Sequence, residues 1–152
     1  MISSRPTISI GLPALNEEGN IAVLLKQILD QKITVGELKE IIIMSDGSSD
    51  ATVAQASTIA DPRIKIFDFK ERRGKYVMEN LLFTTVTGDV LVILDCDVVF
   101  ADDKVLNTLV EPIFRDSSIG LVGANVEAAS PKTFFESILV ASHILKMDIY
   151  KQ

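Results

Sequence analysis

Acidic residues stand directly after several short apolar runs, where a strand would fix the backbone and leave the side chain open to solvent. Asp95-Cys96-Asp97 follows Val90-Leu91-Val92-Ile93-Leu94. Two carboxylates two residues apart can divide their work, one holding a hard divalent cation and the other a ligand hydroxyl. The same pair can also do no more than cap the following loop. Asp46 opens Asp46-Gly47-Ser48-Ser49-Asp50 behind a second apolar run. A turn glycine and capping residues account for most of that stretch. Asp46 itself comes too early to cap a helix, and its carboxylate suits a base N–H or ribose hydroxyls. Pro13, Asn16, Glu17 and Glu18 follow the first run, Ile8 to Leu12. Lys70-Glu71-Arg72-Arg73-Gly74-Lys75 is the basic cluster, and it precedes a helical pattern. Backbone N–H groups and a lysine there could meet a diphosphate, or the cluster is a solvated loop.

These residues need a scaffold, and the pattern predicts one. Apolar runs read as strands over 8–12, 40–44, 64–67, 90–94 and 119–126. The fourth is apolar throughout, as a strand buried on both faces would be. Between them, Ile21, Leu24, Leu25, Ile28 and Leu29 keep to one helix face, with Asn16 as the cap and Glu17 and Glu18 in the first turn. Further helices are expected over about 50–60, capped by Ser48 or Ser49, over 75–86, and around Val105, Leu109, Val110 and Ile113. Ser130-Pro131 opens a last helix carrying Phe134, Phe135, Ile138, Leu139 and Leu145. Successive βα units give a three-layer αβα fold with a mainly parallel, Rossmann-like sheet. Ligands of such sheets bind beyond the carboxyl ends of the strands, where these acids gather.

Composition narrows the function. The chain has 152 residues, 47% hydrophobic and 24% charged, which suits one globular domain over 1–152. A net charge of −6 argues against a nucleic-acid binder. One cysteine and one histidine, Cys96 and His143, exclude a disulfide framework and a multi-ligand zinc site. Cys96 reads as a core residue, His143 as a packed or surface side chain, and Asp102 and Asp103 as helix-start acids. No apolar stretch approaches a membrane span or a signal peptide, so the expected compartment is the cytoplasm. No G-x-G-x-x-G follows the first strand, and Gly74-Lys75 lacks the rest of a Walker A loop.

Four motifs in order then carry a resemblance. Ile8 to Glu18, Ile41 to Thr52, Arg73-Gly74-Lys75, and Gly88-Asp89 through Asp97 together resemble the family 2 glycosyltransferases, which have the GT-A nucleotide-diphospho-sugar transferase fold. The resemblance covers about residues 7–100. It implies that Pro13, Asn16, Glu17 and Asp46 line the base and ribose pocket. It further implies that Asp95 lies near ribose and sugar, that Asp97 holds Mn²⁺ or Mg²⁺, and that Lys75 lies near the base or diphosphate. Metal-assisted departure of a nucleoside diphosphate fits that chemistry. Two positions depart from the family pattern: Ser45 replaces the first of its paired aspartates, and Tyr76 stands where a small residue often follows the lysine.

Family members invert configuration with a carboxylate base well downstream of the Asp-x-Asp. Only 55 residues follow Asp97, and Glu127, Glu136 and Asp148 sit in no base-like motif. The expectation is an N-terminal, donor-binding part of a longer transferase, without its acceptor side. Acceptors in the family include lipid phosphates, polysaccharides and proteins, with membrane association only through further C-terminal chain. Two other readings stay open: a haloacid-dehalogenase-type phosphatase using Asp95, and a non-catalytic nucleotide-sugar-binding module.

Overall fold

A computed structural model describes residues 5–124, 126 and 127. The chain divides after Val122 into two units, and the fold below is that of the first. Its elements alternate: β1 (Thr7–Ala14), α1 (Ile21–Leu29), β2 (Glu37–Asp46), α2 (Thr52–Ser57), β3 (Ile64–Phe69), α3 (Lys75–Thr85), β4 (Val90–Ile93) and α4 (Val105–Arg115). All strand pairs are parallel, in the order β3-β2-β1-β4.

Given that order, handedness fixes which face of the sheet each helix covers. Right-handed crossovers carry the chain outward from β1 to β3 over one face of the sheet. The return from β3 to the far side of β1 must then pass over the other face. Accordingly α1, α2 and α4 bury Ile21, Leu24, Leu25, Ile28, Ala56, Leu106 and Val110 in one core with Ile8, Ile10, Leu12, Ile41 and Ile43. Helix α3 buries Met78 and Leu82 alone on the opposite side, against Ile42 and Met44. Gly11 permits that approach, because a Cβ there would lie 2.7 Å from Leu82 Cδ1.

Several expectations need correction. No strand forms over 119–124 or at 126 and 127. Gly120 and Gly123 interrupt that apolar run, and Leu121 is 89% exposed, so it has no sheet face to cover. Strand β4 is buried at Val90 and Val92, with Leu91 and Ile93 half-buried. The helix expected from Ser130, with His143, Glu136 and Asp148, lies outside the described residues. Among the described residues, no helix is long and apolar enough to cross a membrane.

One buried polar network ties three strands together near the ends opposite the acids. A register shift between Ile8 and Ser9 sets Ser9 against Glu40. Glu40, 1% exposed, accepts from Ser9 Oγ at 2.8 Å, Thr87 N–H at 2.6 Å and Lys65 Nζ at 2.7 Å. Gly88 N–H donates to Ser9 Oγ at 2.9 Å, and a Cβ on Gly88 would sit 2.6 Å from that oxygen. Burial pushes the Glu40 carboxyl up, but the hydrogen bonds from Lys65, Thr87 and Ser9 prevail and hold it at about 2. Glu40→Gln keeps an acceptor for Ser9 and Thr87 but loses the charge facing Lys65. Urea unfolding at pH 7 is expected to show a loss of about 1–3 kcal/mol. Because the folded carboxyl is depressed from 4.5 to about 2, the wild-type advantage shrinks as pH falls through that window.

Candidate functional site

The reversal of strand order at β1 opens a crevice between the carboxyl ends of β1 and β4. A cleft of about 330 Å³ lies there, lined by Pro13, Ala14, Leu15 and Glu17 after β1 and by Asp95, Cys96 and Asp97 after β4. Asp46 from the end of β2 and Arg72, Lys75 and Met78 from the β3–α3 segment complete the lining. Six of the seven residues expected at a donor site therefore meet in one place: Pro13, Glu17, Asp46, Lys75, Asp95 and Asp97.

Asn16 is the exception. It neither lines the cleft nor caps α1, whose N-cap is Asn20 and whose first turn holds no acid. Its φ of +57° is left-handed, a conformation asparagine tolerates better than most residues. In that pose its Oδ1 accepts from Ser49 N–H at 2.9 Å, and its own N–H donates to Ser48 Oγ at 3.1 Å. Glu17 N–H donates to Thr52 Oγ1 at 2.7 Å, and Glu18 Oε2 accepts from Ala51 N–H at 2.9 Å. The segment that was expected to cap α1 instead laces the β1 loop to the start of α2. Neither Ser48 nor Ser49 caps α2: Asp50 accepts from Thr52 N–H at 2.9 Å, while Ala51 is the N-cap.

Asp46 lines the cleft with its carboxylate held by backbone. Its carboxylate is 3% exposed, with Oδ1 accepting from Arg73 N–H at 2.6 Å and Oδ2 from Gly74 N–H at 2.8 Å. Both oxygens reach the cleft floor already engaged by backbone. Ser45, in place of the family's first aspartate, is fully buried and donates to Asp68 Oδ1 at 3.1 Å. Lys75, the first residue of α3, donates from Nζ to Asp95 Oδ1 at 2.5 Å. That hydrogen bond raises the Lys75 pKa against a lesser burial penalty, with Glu79 and Asp97 adding to the attraction. Tyr76 is 82% exposed and is not among the residues lining the cleft.

Arg72 lines the cleft, although the sequence marks it only as one member of the basic cluster Lys70 to Lys75. Nothing in Lys70 to Lys75 distinguishes it locally; the path of the β3–α3 loop brings it to the cleft. Arg73 instead stacks over the Phe69 ring at 4.7 Å, and Lys70 pairs with Asp68.

Cys96 sits between the two aspartates but turns inward, 3% exposed, with its thiol 3.5 Å from Pro13 O. Burial pushes this thiol up to about 12, and the carboxylates of Glu17, Asp95 and Asp97 push the same way. At pH 8, a disulfide reagent followed by absorbance is expected to react with Cys96 about a thousandfold more slowly than with an ordinary cysteine. Unfolding in urea should restore the ordinary rate.

Comparison with known proteins bears on the family and the fold. The model of glycosyl transferase family 2 matches residues 9–145. Glucosyl-3-phosphoglycerate synthase of Mycolicibacterium smegmatis is 26% identical over 120 residues, 76% of this chain and 39% of that protein. Glycosyltransferase AglE of Haloferax volcanii is 29% identical over 133 residues, 86% of this chain and 43% of that protein. The chain thus spans about two fifths of the length of these curated relatives. Among solved structures, the mannosyltransferase PcManGT of Pyrobaculum calidifontis, in complex with GDP-Man and Mn²⁺, superposes with a TM-score of 0.62 at 26% identity. That match covers 72% of this chain and 32% of that one. Glucosyl-3-phosphoglycerate synthase of Mycobacterium tuberculosis, with Mn²⁺, UDP and glucosyl-3-phosphoglycerate, also gives 0.62 at 26% identity, covering 75% of this chain and 42% of that one. With a parallel sheet flanked by helices, a GT-A-type fold and this family match, the chain belongs to glycosyl transferase family 2.

Proposed function

We propose that this chain carries the donor half of a metal-dependent, inverting transfer of sugar from a UDP- or GDP-sugar to an acceptor hydroxyl. The observation that carries the reading is the charge balance of the cleft. Four carboxylates, of Glu17, Asp46, Asp95 and Asp97, face two cations, Arg72 and Lys75. A nucleoside diphosphate would add further negative charge, which a divalent cation must offset.

The donor set fits such an ion. Among the described residues no three His, Cys, Asp or Glu side chains gather to hold a metal unaided. Mg²⁺ and Mn²⁺ are hard ions that accept one or two carboxylates and take the rest of their shell from phosphate oxygens and water. Asp97 would hold the ion, which when bound supplies Lewis-acid stabilisation to the departing diphosphate. The relatives' bound ligands, UDP with Mn²⁺ in one and GDP-Man with Mn²⁺ in another, support this choice.

This chain's own residues would do the rest. The Pro13–Leu15 backbone and Glu17 form one wall for the nucleoside, and Asp95 meets ribose or sugar hydroxyls. Lys75 and Arg72 face the diphosphate, where negative charge grows as the bond breaks. The acceptor oxygen attacks the anomeric carbon opposite the diphosphate, which leaves with the bonding electron pair. A carboxylate on the acceptor side, outside this donor half, takes the acceptor proton. On this reading the 152-residue chain alone binds donor but transfers sugar slowly or not at all. The family match removes support from the phosphatase reading, and the transferase relatives favour an enzyme over a purely binding module.

Calorimetric titration of UDP and then GDP, with Mn²⁺ and with EDTA, tests the proposal. Metal-dependent binding of one diphosphate is expected, weakened at least about tenfold (about 1.4 kcal/mol) in Asp97→Ala. Equal affinity in EDTA, or no loss in the variant, would remove the metal role from Asp97.

A further inference from the structure

We infer that Gln31, together with Gln27, is a positioning residue for Asp97: the two side-chain amides hold the chain that leaves Asp97 against α1 and so fix where its carboxylate stands. The inference rests on the donor-site reading above and concerns what keeps that carboxylate in place.

Asp97 lies in the connection 94–104 between β4 and α4, which has neither helix nor strand to hold it. On the β4 side the connection is tied to β1. Leu94 N–H donates to Gly11 O at 3.0 Å, and the Cys96 thiol lies 3.5 Å from Pro13 O. On the α4 side the ties run to α1 and to the residues just after it. Gln27 Oε1 accepts from Phe100 N–H at 3.2 Å. Gln31 makes two bonds, donating from Nε2 to Asp102 O at 2.8 Å and accepting at Oε1 from Leu106 N–H at 3.0 Å. Lys32 N–H adds a bond to Asp103 O at 2.7 Å. Between Cys96 and Phe100 stand only Asp97, Val98 and Val99, so Asp97 is held from both sides.

An amide suits this place. The nearby backbone offers a carbonyl at Asp102 and an N–H at Leu106, and a glutamine carries the donor and the acceptor that match them. Leu106 N–H belongs to the first turn of α4, whose N-cap, Lys104, makes no side-chain cap. Gln31 thus caps α4 from another element. Helix α1 is a firm base for this, since it buries Ile21, Leu24, Leu25 and Ile28. Its first residue, Ile21, donates its N–H to Glu17 O at 2.9 Å, and Glu17 lines the cleft from the β1 side. One helix is therefore joined to both the Glu17 loop and the Asp97 loop, and it sets the spacing between them.

The test titrates UDP and GDP, each with Mn²⁺ and with EDTA, into wild type and Gln31→Met, which keeps an unbranched side chain and removes both hydrogen bonds. A positioning role predicts that affinity with Mn²⁺ falls by about fivefold or more while affinity in EDTA is unchanged. It also predicts no further loss when Gln31→Met is added to Asp97→Ala. A role confined to stability would lower the urea midpoint and leave the ratio of the two affinities at its wild-type value, and that result would overturn the inference. Losses that add in the double variant would overturn it too. Should Gln31→Met fail to fold, Gln27→Met, which removes only the bond to Phe100, is titrated in the same way and judged by the same ratio. If wild type shows no metal-dependent binding of either nucleotide, the donor-site reading fails by itself. The positioning of Asp97 is then decided by its carboxyl resonance in Gln31→Met: a shifted resonance supports the inference, and an unmoved one overturns it.

Discussion

Right-handed crossover is the constraint from which the site follows. Going outward from β1 through β2 to β3 places α1 and α2 on one face. Returning past β1 to β4 then requires α3 on the other. This reversal parts the connections at the carboxyl ends of β1 and β4, and the parting is the cleft. It also aims the N-terminus of α3 at the same place, so Lys75 arrives from one face of the sheet and the Asp95–Asp97 loop from its edge. Had β4 added beyond β3, the Asp-x-Asp loop would sit far from the β1 loop, with the same sequence motifs and no common cavity.

Within that frame, the acids do two kinds of work. Those at the mouth, Asp95 and Asp97, are exposed and remain available to an incoming ligand. Those beneath and behind, Asp46, Glu18 and Asp50, accept backbone N–H groups from neighbouring loops. A carboxylate is well suited to the second task, because its several lone pairs can gather two or more donors at once. The loops around the cleft are thus braced to one another by hydrogen bonds to carboxylates. Glu40 does the same at the other end of the sheet, where Ser9, Thr87 and Lys65 converge on it.

How much of this was legible depended on the range of the interaction concerned. The helix faces of α1 and α4 follow from a period of 3.6 and the strands β1 to β4 from short apolar runs, and both patterns are local. The site residues were legible because a sheet of this class places its ligands after the strand ends, and the acids stand there in the sequence. Asn16 misled because a polar residue ahead of an apolar helical pattern reads as a cap, whereas its left-handed φ sends it to Ser48 and Ser49 instead. Glu40 gave no signal, since a glutamate at the start of an apolar strand ordinarily faces water, and its partners lie 25 to 47 residues away. The run over 119–126 has strand-like composition, but a strand is defined by a neighbour to pair with, and composition does not supply one.

The sequence by itself therefore determined the class of fold, the family, and which residue types gather at the strand ends, because those depend on local pattern and on motifs in order. Tertiary structure alone decided which acids remain open to a ligand and which are bound within the protein. It did so because only the folded chain settles which backbone N–H groups come within reach of each carboxylate. Asp46 and Asp95 both follow a strand in the sequence. In the fold, one is enclosed by a turn of backbone and the other meets a single lysine at the edge of solvent.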